Sequence, residues 1–155
     1  MTCPRRDMDA MLEMIRELYD ALPFHRLLGL KVTDLGPDAA SLRFSTREDL
    51  IGNYVQGILH GGVISAVLDA TGGMTATASA VCKMEGLTDD EIAARVSKIG
   101  TIDMRVDYLR PGRGSEFFTS GTVLRTGRKL AVTRMELKNQ DEMLIAAGTA
   151  AYIVG

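Results

Sequence analysis

The apolar positions of this chain change their period along its length, and each change marks an element. Residues 8–22 place Met8, Met11, Leu12, Ile15, Leu18, Tyr19 and Leu22 at helical spacing, with Pro23 ending the run. After a turn region at 24–30, residues 31–35 and 39–45 read as two strands joined through Gly36, Pro37 and Asp38, a hairpin. Residues 46–59 read as an irregular loop carrying Gly52, Asn53 and Gly57. From 61 to 82 the residues are apolar, small or hydroxylated with no proline, the pattern of a buried helix, and Asp69 is the only charge on it.

Residues 84–100 form a charged insertion. Thr88 with Glu91 three residues on is a capping box ahead of Ile92, Ala93, Ala94 and Val96, which predicts a short solvated helix stopped by Gly100. The remainder alternates as four strands, 101–109, 116–125, 129–139 and 143–154, with turns at 111–114, 126–128 and 139–141, an antiparallel meander. The layout is α+β in a single domain, 1–155, with an N-terminal helix in 1–23 and the helical insertion at 84–100. A long antiparallel sheet must wrap the one helix too apolar to face water.

Composition narrows the function. A formal charge of -2 gives no basic stripe for nucleic acid. The two cysteines, Cys3 and Cys82, are far apart, with neither metal-ligand spacing nor a disulfide framework. The first twenty residues mix both signs of charge and lack the apolar core of a signal peptide, so a cytoplasmic address is expected. The 61–82 run is long enough for a bilayer, but its glycines and alanines and its mid-run Asp69 predict a core helix with no membrane span.

A lone carboxylate on a buried helix needs a cause, because burying it unpaired costs several kcal/mol or shifts its pKa. Two causes fit: a structural cap or ion pair, or a catalytic base or nucleophile. Gly61 and Gly62 open the same helix and leave backbone N–H groups at its positive end, where a carbonyl can be polarised. Asp69 is eight residues beyond Gly61, about 12 Å along the axis, too far for one carbonyl to meet both. If the two features serve one site, Gly61 of one subunit faces Asp69 of another, with two central helices antiparallel across a two-fold axis. Ser65, Asp69, Gly72, Gly73, Ala76 and Ala80 form a small-residue face that permits such an approach, or that merely packs on the sheet.

These residues resemble the hotdog-fold acyl-CoA thioesterases of the phenylacetate-degradation (PaaI-like) type, over residues 28–152. The specific part is the ordered spacing of His60, Gly61, Gly62 and Asp69, supported by the later segments TIDMRVDYLRP and RTGRKLAVTRMELKNQD. The resemblance implies a hotdog fold, an antiparallel sheet wrapped around a long central helix, and hydrolysis of a thioester to acid and thiol. It casts Asp69 as base or nucleophile and Gly61 as the donor to the thioester carbonyl. His60 orients the site, Asn53 contacts substrate or water, and Thr101, where serine is frequent, helps hold the hydrolytic water. Gly62, Arg110 and Arg128 are candidate substrate-binding residues, the last two within a set of basic residues at strand ends and turns (with Arg113, Arg125 and Lys129) that are either a solvated rim or contacts for coenzyme A phosphates. No cofactor and no metal are expected, and the partner is a second copy of the chain, in a dimer or tetramer. Two other readings stay open: a hotdog dehydratase or hydratase, although the proline-rich motif around its histidine is missing, and a module that binds acyl-CoA without turnover.

Overall fold

The computed structural model describes residues 8–84 and 86–155. The expectations placed on residues 1–7, Cys3 among them, lie outside these described residues. Helix α1, Met8–Ala21, packs through Ile15. Residues 24–30, expected as a turn, contain a second helix, α2, Pro23–Leu28. Proline stops α1 because it brings no amide hydrogen, and for the same reason it suits the first position of α2. Gly29, at φ +72°, closes α2 with its N–H on the Arg26 carbonyl. His25 and Leu28 point inward, whereas Phe24 and Leu27 stay exposed.

Strands β1, Lys31–Leu35, and β2, Ala39–Ser45, form the expected hairpin. The loop expected at 46–59 instead contains a 3₁₀ turn, Glu48–Leu50, and a small hairpin of β3, Ile51–Asn53, with β4, Ile58–Leu59. Helix α3, Gly61–Cys82, has the expected limits. Val67, Leu68 and Met74 are fully buried, each adding about 1.5–3 kcal/mol, in one core with Phe44, Phe117, Met135, Leu137 and Ile145. Its buried hydroxyls turn back on their own helix: Thr71 Oγ1 donates to the Val67 carbonyl at 2.7 Å and Thr75 Oγ1 to that of Thr71 at 2.8 Å. Helix α4, Asp89–Val96, begins at the predicted Thr88–Glu91 capping box, but its last turn gives way at Ser97, and Gly100 opens the next strand instead of stopping the helix.

The last four strands are β5, Gly100–Tyr108, β6, Glu116–Thr126, β7, Leu130–Asn139, and β8, Leu144–Ile153. They are not a simple meander. The six-stranded antiparallel sheet runs β1-β2-β6-β7-β8-β5, so β5 lies beside β8 at one edge and β6 beside β2. The reason lies in residues 109–115, which cross beneath the start of α3 where they were expected to turn. The Gly112 carbonyl accepts from Leu59 N–H at 3.0 Å, and a Cβ on Gly112 would sit 3.0 Å from the Leu59 side chain. Among the described residues no helix is long and apolar enough to cross a membrane.

Candidate active site

Sheet and core bury one side of α3 and leave Gly62, Ser65, Ala66, Asp69 and Gly73 at least partly exposed on the other. Asp69 is held there by two neutral hydroxyls. Thr101 Oγ1 donates to Asp69 Oδ1 at 2.8 Å. The Tyr152 hydroxyl lies 3.1 Å from the same Oδ1 and 3.1 Å from the Asp69 carbonyl oxygen, sharing one proton between them. Among the described residues Oδ2 makes no hydrogen bond and no cation pairs with the carboxylate. Among the described residues the carboxylate is thus held by hydroxyls and not by an ion pair, and one of its oxygens is uncommitted.

The clamp follows from strand register. Thr101 on β5 stands opposite Tyr152 on β8, so the two side chains share a face and reach the same carboxylate. Tyr152 is buried, and its ring occupies the space left by Gly72 and Gly73: a methyl on Gly72 would overlap the hydroxyl and approach Met135 Sδ to 2.8 Å. Part of the small-residue face is thus a seat for a tyrosine, and Gly72, Ala76 and Ala80 are buried while Ser65, Asp69 and Gly73 remain accessible. Burial, with the Asp69 charge added, raises the Tyr152 phenol far above its ordinary range, so it acts as a neutral donor.

At the start of α3, His60 is the N-cap, and its Nδ1 accepts the Gly62 N–H at 2.8 Å. That bond requires Nδ1 to be unprotonated. It also commits one of the two donors that the glycine pair was expected to leave free, which leaves the Gly61 N–H as the other. The Gly61 N–H has no partner among the described residues. Its carbonyl accepts from the Tyr108 hydroxyl at 3.2 Å. The His60 backbone is fixed by its N–H on the Leu50 carbonyl, at 2.9 Å, and Gly52 lets β3 press against it, since a Cβ there would lie 2.6 Å from His60 Cα. Strand β5 links the two ends of this machinery, meeting Asp69 through Thr101 and Gly61 through Tyr108.

Two cavities open at Gly61 and its neighbours. One of about 330 Å³ is lined by Gly61, Ile64, Tyr108, Arg110 and Gly112. The other, about 410 Å³, is lined by Phe24, Leu27, Leu50, His60, Val63 and Ala66.

A family profile described as the Thioesterase superfamily matches residues 56–146, the stretch that holds His60, Gly61, Asp69 and Thr101. The chain belongs to the thioesterase superfamily. It is 43% identical over 145 residues to a Salmonella typhimurium protein named medium/long-chain acyl-CoA thioesterase YigI, covering 93% of this chain and 94% of that one. The Escherichia coli (strain K12) protein of the same name is 42% identical with the same coverage. A crystal structure from Shewanella oneidensis, described as related to the thioesterase superfamily, superposes with a TM-score of 0.91 at 45% identity, covering 96% of this chain and 97% of its own.

The other candidate residues of this superfamily member are not gathered around Asp69. Asn53 Oδ1 accepts the Gln56 N–H at 3.1 Å and its carbonyl accepts that of Gly57, so Asn53 shapes the β3–β4 turn and makes no bond to His60, Gly61 or Asp69. Arg110 lines the first cavity with one nitrogen on the Leu144 carbonyl at 2.8 Å. Arg113 pins that same turn, donating to the Gln56 carbonyl at 2.6 Å and to its Oε1 at 2.9 Å. Arg128 sits in the β6–β7 turn at the far end of α3, where Thr126 donates to Ser79 at 2.9 Å. Ser79 is eighteen residues beyond Gly61, about 27 Å along the helix. Tyr152 and Tyr108 have no place among the sequence-predicted site residues, while Gly72 was expected only as part of the small-residue face and Gly52 only as a loop glycine. For Tyr152 a signal existed, since β8 alternates inward through Ala146, Gly148, Ala150 and Tyr152, and a buried phenol needs an acceptor.

Proposed function

We propose that this protein hydrolyses medium- to long-chain acyl-CoA thioesters at a site shared between two copies of the chain. The observation that carries the reading is the state of Asp69: among the described residues its carboxylate has no cation beside it, one oxygen is fixed by Thr101 and Tyr152 and the other has no partner, on the open face of α3. Such a group can take a proton from water or attack a carbonyl carbon itself. The Gly61 N–H of the other copy supports the negative charge that develops on the carbonyl oxygen.

In the general-base route Asp69 accepts a water proton as the new C–O bond forms. Collapse of the tetrahedral adduct breaks the C–S bond, and the proton passes to the departing thiolate. In the nucleophilic route Oδ2 displaces the thiolate, giving an anhydride that water then opens. Both give one acid and one thiol.

Two copies are needed because Gly61 and Asp69 of one chain are about 12 Å apart along the axis. Strand β5 supports their pairing: it is a sheet edge with unpaired backbone, it carries the exposed Ile102 and Tyr108, and it flanks the open face of α3. The test is release of free thiol from a panel of acyl-CoA substrates. Asp69→Asn, isosteric but unable to accept the proton or to attack, should fold normally and lose orders of magnitude in kcat. Wild-type turnover in that variant would remove Asp69 from the chemistry.

A further inference from the structure

The two cavities at the start of α3 lie on opposite sides of the helix. At about 100° per residue, Gly61 and Ile64 project one way and Gly62, Val63 and Ala66 the other. A thioester carbonyl held at the Gly61 N–H therefore has two exits, and they differ in chemistry. The exit past Tyr108 holds Arg110, whose cation suits the anionic end of coenzyme A. The other is walled by Phe24, Leu27, Leu28, Leu50, Val63 and Ala66, and its charged members, Arg47 and Asp49, are paired with each other at 3.1 Å. One wall is α2, which exposes 53% of Phe24 and 63% of Leu27. Large apolar side chains left so bare beside a groove are what an aliphatic ligand covers.

We propose that the acyl chain of the substrate lies in the groove between α2 and α3, and that Phe24 and Leu27 set the preference for chain length. This rests on the thioesterase reading and goes beyond it by naming the wall that measures the tail. The groove is continuous with the site, since His60 and Gly62 belong to both. Arg47 also ties the end of α2 to the loop before β3, through a 2.5 Å hydrogen bond to the Leu27 carbonyl, so the wall is fixed at that end. Each methylene that enters an apolar groove contributes roughly 0.8 kcal/mol, about fourfold in kcat/KM.

The experiment compares kcat/KM for a straight-chain series from butanoyl-CoA to dodecanoyl-CoA in the wild type, Leu27→Asp and Phe24→Ala. Both side chains are more than half exposed, so neither change empties the core. The wild type should gain with chain length, and the ratio for dodecanoyl over butanoyl should fall by about tenfold or more in Leu27→Asp, with a smaller fall in Phe24→Ala. An unchanged ratio in Leu27→Asp, with the wild type active, overturns the groove assignment and leaves the thioesterase reading standing. Loss of the assembled state in Leu27→Asp, seen by light scattering, would make the groove a seat for a second copy and overturn it likewise. A wild type inert to the whole series would overturn both.

Discussion

Asp69 was legible because it is the only charge in a 22-residue helix, and a buried charge always has a cause. The partners that hold it were not, because they arrive from strands 32 and 83 residues away. The structure makes their roles separable. Tyr152→Phe keeps the ring in the space left by Gly72 while removing one donor to Oδ1, and Thr101→Ala removes the other. A hydrogen bond to a charged group is worth about 1.5–3 kcal/mol, so each variant should lose roughly tenfold to a hundredfold in kcat with little change in KM, less than Asp69→Asn. Gly72→Ala should mimic Tyr152→Phe in kcat while also lowering the melting temperature, since its methyl displaces the phenol. Steady-state kinetics on one acyl-CoA decide this, and an unaltered kcat in Tyr152→Phe would reduce the tyrosine to packing.

At the scale of elements, α3, the β1–β2 hairpin and the capping box of α4 are legible in the sequence because period and punctuation agree there. Helix α2 is not, because six residues are too few for a period, and Pro23 reads equally as the end of one helix and the start of the next. Nor is the position of β5, because a crossover and a turn use the same residues, Pro111, Gly112 and Gly114. The α1–α2 unit carries a pH-sensitive joint. His25 is buried between the two helices, with Nδ1 3.0 Å from the Tyr19 carbonyl, and the Tyr19 hydroxyl meets Thr77 of α3 at 3.0 Å. Burial lowers the His25 pKa, against the opposing pull of that carbonyl and of the charges on Asp20 and Asp69, while it pushes Tyr19 up to about 12. The unfolded chain thus takes up the His25 proton first as pH falls below about 6.5, so the stability from its burial is complete above that point and is lost as pH drops through the lower folded value. Thermal unfolding should show a melting temperature that declines from about pH 7 to about pH 5, and a shallower decline in His25→Gln. Equal slopes in the two proteins would show that the joint does not titrate.

For the whole molecule, the proposal of a shared site rests on the separation of Gly61 from Asp69, about 12 Å along α3. The β5 edge and the open face of α3 lie together, so in the proposed dimer a single two-fold contact would cover both and bring each Gly61 toward the other copy's Asp69. Gly61→Pro isolates the donor cleanly. Proline is favoured at the first position of a helix, and His60 before it already has φ -64° and ψ 137°, which a following proline accepts. The most direct measurement mixes Gly61→Pro with Asp69→Asn, each inactive alone, under conditions that allow subunits to exchange, and follows thiol release. Mixed dimers hold one site with an intact Gly61 and an intact Asp69, so about a quarter of wild-type activity per chain should return on statistical exchange. If exchange is complete and no activity returns, the two groups do not act across the interface, and the shared-site account is wrong.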